Sequence, residues 1–190
     1  MFLYTLAFQS YPSVWAFFGA ERFGWDAWWN GLSLAAFGIC MVFVQGFLVA
    51  PATRLFGERR TAGYGMALET VTFGFYGLVT SGFWALAFTP IASIAGIAGP
   101  ALSGLMSNAT PDDQQGELQG VLAAVQAVGM GLAPMVMTSV FWAFTRPGTS
   151  IYQPGAPFLL SGVLMAAAVI LLVAPARRRP RAAPRPQEMP

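Results

Sequence analysis

Between Arg60 and Asp112 the chain carries one charged residue, Glu69, in a stretch that is otherwise apolar or neutral. No soluble domain can bury so long an uncharged run and still cover its surface with polar groups. Over the whole 190 residues, 56% are hydrophobic and 9% charged, against roughly 25% charged in an ordinary soluble domain. The reading that follows is an all-α integral membrane protein, because only helices and closed barrels satisfy their backbone groups in lipid. The apolar runs are continuous rather than alternating, which selects helices.

A spanning helix needs about 20 mostly apolar residues. Charges and turn residues divide the chain into six such windows, at residues 1–19, 31–51, 61–80, 84–107, 118–145 and 158–174. The whole of 1–175 is expected to form a six-helix transmembrane bundle. Residues 176–190, Pro- and Arg-rich, are expected to be a disordered cytoplasmic tail. Met1 opens into an apolar run without a basic leader, as expected of a span rather than a signal peptide. The tryptophans of "GAERFGWDAWWNG" suit a membrane–water interface.

Orientation follows from arginine, the only basic residue type present. Arg54, Arg59 and Arg60 lie between the second and third windows, and five more arginines follow Pro175. Four windows separate the two clusters, so both fall on one side. The positive-inside rule makes that side, and both termini, cytoplasmic.

Enzyme chemistry has little to work with. There is no histidine, hence no Ser–His or Cys–His pair and no usual zinc site, and a single cysteine, Cys40, excludes an internal disulfide. No metal and no cofactor is expected. Asp112 and Asp113 read as a solvated turn that caps the next helix. The basic tail has no folded module beside it that would read as nucleic-acid binding.

Glu69 stands apart. Insertion scales charge about 2.5–3.5 kcal/mol for an ionisable residue at a helix centre, and a carboxyl kept at that cost can take up and release a proton. The competing reading is a side chain that reaches back to the cytoplasmic interface. Gln9, Gln45 and Gln126 are polar residues in three other windows. Each either contacts a substrate or bridges two helices. Arg22 with Glu21 forms either an interfacial ion pair or part of a gate, and Pro134 should kink the fifth window. Small residues recur at Ala92, Gly96, Pro100 and Gly104, and again at Gly116, Gly120 and Ala124, a spacing that suits close helix packing.

Three stretches carry a resemblance: "AERFGWDAWWNGLSLAAFGI", "FGERRTAGYGMALET" and "QQGELQGVLAAVQAV". Their order and spacing resemble the C-terminal half of a major facilitator superfamily drug transporter, most like the tetracycline/proton antiporters. The resemblance implies a twelve-helix fold of which this chain supplies six helices. It implies proton-coupled efflux of a drug such as tetracycline, cationic or carried as a metal chelate, across a bacterial inner membrane. Glu69 stands where that family has an essential aspartate. Gln45 matches its functional glutamine, and Arg22 its external arginine. Arg54, Arg59 and Arg60 fall in a worn copy of a cytoplasmic gating loop that lacks its aspartate. The expected partners are the lipid bilayer, drug and proton, and an N-terminal six-helix half. Two rival readings are a truncated fragment that only forms a membrane bundle, and a six-helix homodimeric pore.

Overall fold

The computed structural model describes residues 1–174; the tail expected at 176–190 lies outside them. The described residues are helical throughout, with short connections, and they form six rods. The first rod is α1 (Phe2–Phe8) and α2 (Ser10–Phe23), broken only at Gln9. The second is α3 (Ala27–Phe43), a π-helical segment (Val44–Leu48) and α4 (Val49–Phe56). The third is α5 (Glu58–Leu78). The fourth is built from α6 (Gly82–Ala87), α7 (Thr89–Ala95) and α8 (Ala98–Asn108). After a 3-10 turn (Asp112–Gln114) come α9 (Gln115–Thr145) and α10 (Ala156–Val173).

Local chemistry explains the boundaries. Asp26 accepts from the Trp29 N–H at 3.0 Å and caps α3. Pro51 offers no N–H to the carbonyl four residues earlier and its ring crowds that carbonyl; the helix widens into its π turn just ahead of it. In the fourth rod, Pro90 and Pro100 each lie in the first turn of a helical piece, where a missing N–H costs nothing. The Asp112–Asp113 loop is closed by a neighbour. Gln115 donates to the carbonyls of Ser107 and Thr110, both at 2.8 Å. Helix α9 passes through Pro134 as one helix, with the Thr138 hydroxyl donating to the Pro134 carbonyl.

Among the described residues, four stretches are long and apolar enough to cross a membrane: Ala27–Phe56, Thr89–Asn108, Asp112–Thr145 and Ala156–Val173. The other two rods, α1–α2 and α5, are more polar, and they supply much of the buried core. Along α5 the buried residues Ala62, Gly65, Met66, Glu69, Thr72, Phe73 and Tyr76 recur at helical spacing and form one face. That face packs most extensively on α10 and then on α8. A Cβ at Gly65 would stand 2.9 Å from the Ala98 backbone nitrogen, so only glycine admits this approach. At the far end, Gly155 lies directly on the Gly77 carbonyl. Aromatic rings fill the centre. Tyr11 stacks on Phe73 with ring centroids 5.1 Å apart, Trp15 meets Tyr76 edge-on at 5.1 Å, and Phe18 meets Phe158 at 5.0 Å.

The two ends of the bundle are fixed by hydrogen bonds. Arg59 donates to the Leu172 carbonyl at 2.8 Å and Asn108 to Glu58 at 2.7 Å, while Met1 borders Leu172. The start of the chain, the start of α5 and the ends of α8 and α10 therefore share one end. At the other end Arg22 donates to the Val79 carbonyl at 3.1 Å and Gln153 to the Gly77 carbonyl at 2.9 Å.

Candidate functional site

Glu69 lies near the middle of α5, on its buried face, and is 1% exposed. It does not reach an end of the bundle, so the snorkelling reading fails. Neither carboxylate oxygen has a hydrogen-bond partner among the described residues. Three tyrosines, Tyr4, Tyr11 and Tyr76, are buried in the same core. Tyr11 is the one placed to donate to it, although the present geometry falls short of a hydrogen bond and the Tyr11 hydroxyl is likewise unpartnered. A buried carboxyl beside an idle phenol is costly unless one of them changes state or partner.

Two cavities flank this centre. The larger, about 270 Å³, is bordered by Gln9, Gln45 and Gln126 together with Tyr4, Met41 and Met130. Three glutamines from three rods thus meet around one cleft. Local structure presents each of them. Gln9 occupies the break between α1 and α2, Gln45 sits in the π segment, and Gln126 lies along α9. Glu69 does not border this cleft. Tyr4 borders the cleft, and its hydroxyl lies against Gly99. The smaller cavity, about 20 Å³, is lined by Tyr11, Trp15, Ser33, Phe37, Tyr76 and Thr89. That is room for about one water. Trp15 donates to the Ser33 hydroxyl at 2.8 Å on its wall.

The arginines lie elsewhere. Arg22 is bound to the Val79 carbonyl, and Glu21 accepts from the Tyr152 hydroxyl. The two neighbours thus use different partners, and in place of an interfacial ion pair, one of the two readings, there are two ties to other segments. Arg54, Arg59 and Arg60 sit at the opposite end, Arg59 capping α10. None of the four borders the glutamine cleft. Pro134 lies within α9, also outside that lining. Sequence reasoning missed Tyr4 and Tyr11. Their only signal is a phenol in an apolar window, which is common in membrane helices.

The family pattern of the Major Facilitator Superfamily matches residues 1–190. The chain belongs to the Major Facilitator Superfamily. Among curated proteins, it is 36% identical to the class C tetracycline resistance protein of Escherichia coli, over 142 residues. It is 32% identical to the class G tetracycline resistance protein of Vibrio anguillarum, also over 142 residues. Each match covers 75% of this chain and 36% of the relative, so the chain spans about a third of those proteins' length. A rat protein, Hippocampus abundant transcript-like protein 1, is 26% identical over 74% of the chain and 31% of its own length. No solved structure matches.

Proposed function

We propose that this major facilitator chain acts as the second half of a proton-coupled exporter of a drug such as tetracycline in a bacterial inner membrane. The observation that carries the reading is the convergence of Gln9, Gln45 and Gln126 on one cleft, with Glu69 buried near the middle of α5. The glutamine amides offer a polar drug both donors and acceptors. Glu69 holds the coupling proton. Its gain or loss alters the balance between packings of α5 against the first and fourth rods, and so favours one access state over another. The end bearing Arg54, Arg59 and Arg60 faces the cytoplasm, with Met1 beside it, and Arg22 helps to close the external end. A drug that travels as a metal chelate brings its cation as cargo.

A first half is part of this reading. Phe43, Phe47, Val128, Leu132 and Met135 are exposed on the second rod and α9. Gly38, Gly46, Gly116, Gly120 and Gly131, on the same rods, have open space where a neighbouring helix would lie. Small and apolar residues in that arrangement suit close packing of another helical unit. The test is drug export by cells that make this chain alone, a six-helix first half from a tetracycline exporter alone, or both. Export only when both are present supports the proposal. Export by this chain alone favours a homodimeric pore, and absence of export from every combination with correct insertion leaves a non-transporting fragment.

A further inference from the structure

The first turn of α5 and the last turns of α10 enclose a groove of about 550 Å³ that shares no lining residue with the glutamine cleft and does not include Glu69. Arg59 and Arg60 form its rim. Tyr64 flanks it, and Val169, Leu172 and Val173 provide an apolar wall. Helix α5 has 21 residues, about 31 Å at 1.5 Å per residue, close to the thickness of the hydrocarbon core. Its first turn therefore lies at headgroup depth and its second within reach of acyl chains. Tyr64, 60% exposed and edge-on to Phe56, adds the aromatic pair common at that level.

We propose that this groove binds an anionic phospholipid, with Arg59 and Arg60 holding the headgroup phosphate and the Val169–Leu172–Val173 wall receiving an acyl chain. The guanidinium groups are set for it. Arg59 is held in place by its bond to the Leu172 carbonyl, which leaves its remaining donors at the rim. The adjacent carboxylate, Glu58, is turned to Asn108 and Gly104 on the other side of α5. Planar guanidinium groups match phosphate oxygens in pairs of hydrogen bonds. The apolar wall distinguishes a lipid from free phosphate, which gains nothing from it. Charge also argues against the chain's own tail as occupant, because the sequence after Pro175 has five arginines and one acidic residue, Glu188.

The test uses the full chain, purified in mild detergent and titrated with phosphatidylglycerol or with phosphatidylcholine of the same acyl chains, the bound lipid being counted by native mass spectrometry. The expected result is a preference of about twenty-fivefold for phosphatidylglycerol, from two cations each worth about fivefold near an anionic headgroup. Arg60→Gln leaves the Arg59 contact with Leu172 intact and should cut the preference about fivefold, whereas Arg60→Lys should keep most of it. Arg146→Gln, at the other end of the bundle, should change nothing. Three results would overturn the site: an unchanged preference in a folded Arg60→Gln chain, loss of the preference on deleting residues 175–190 alone, or displacement of the lipid by an equal concentration of inorganic phosphate.

Discussion

Helices α5 and α9 invert the rule that holds in water. Helix α9 is long and apolar enough to be recognised as a span, yet only Leu122, Gly129, Ala133 and Met137 are buried along it. Helix α5 fails that recognition, because threonines, glycines and a carboxylate dilute it, yet it presents a continuous buried face. In lipid the tails are as apolar as leucine, so hydrophobicity does not drive a helix inward; close packing and polar contacts do. The more polar helix therefore forms the interior, and the more apolar one faces outward.

That contrast sets the size of the mutational effects. Phe73→Ala, at a fully buried ring, should cost about 3–5 kcal/mol of unfolding free energy in detergent. Leu132→Ala, on the exposed face of α9, should cost about 0.5 kcal/mol or less in the chain alone. Similar losses at the two sites would break the comparison. A Leu132 cost that rises when a first half is present would sharpen it. Gly65→Val comes next, at about 1–3 kcal/mol, since its side chain meets the Ala98 backbone. The matching change Gly131→Ala on α9 enters open space and should be near neutral or slightly stabilising, by circular dichroism melts of both variants.

The smallest effects belong to the loop that ties down the end of α5. Gln153→Ala removes the donor to the Gly77 carbonyl and should cost about 1 kcal/mol in the same melts. Tyr152 donates to Glu21, and that bond holds its proton above the usual tyrosine range. A tyrosine whose folded value is raised contributes its stability below the ordinary value and loses it as pH rises through the folded one. The exposed pair should therefore loosen only in strong alkali. In ultraviolet titrations, the component removed by Tyr152→Phe should lie above the ordinary tyrosine value and return to it in Glu21→Gln.

Four of the rods are legible as long apolar runs, whereas α1–α2 and α5 are marked only by the charges and turn residues that bound them. Glu69 is legible as a lone charge in a long neutral stretch. Burial order is not, since hydropathy ranks α9 above α5. Nor is the meeting of Gln9, Gln45 and Gln126, which depends on how three rods pack rather than on any local pattern. The π segment that carries Gln45 differs from the flanking helix only in hydrogen-bond register, and Pro51 is its sole hint. Tyr11 draws notice only once its hydroxyl and Glu69 are both seen buried without a partner.

The central claim is that Glu69 exchanges the coupling proton, and substitution at that position tests it most directly. Vesicles holding this chain with a supplied first half are loaded with drug, and drug-driven proton movement is followed with a pH-sensitive dye at matched protein levels. Glu69→Gln keeps the shape of the side chain but cannot titrate, and should abolish proton movement while the protein inserts normally. Glu69→Asp keeps the carboxyl and should retain part of the rate. Proton movement by Glu69→Gln at close to the unmodified rate, with Asp no better than Gln, would contradict the account.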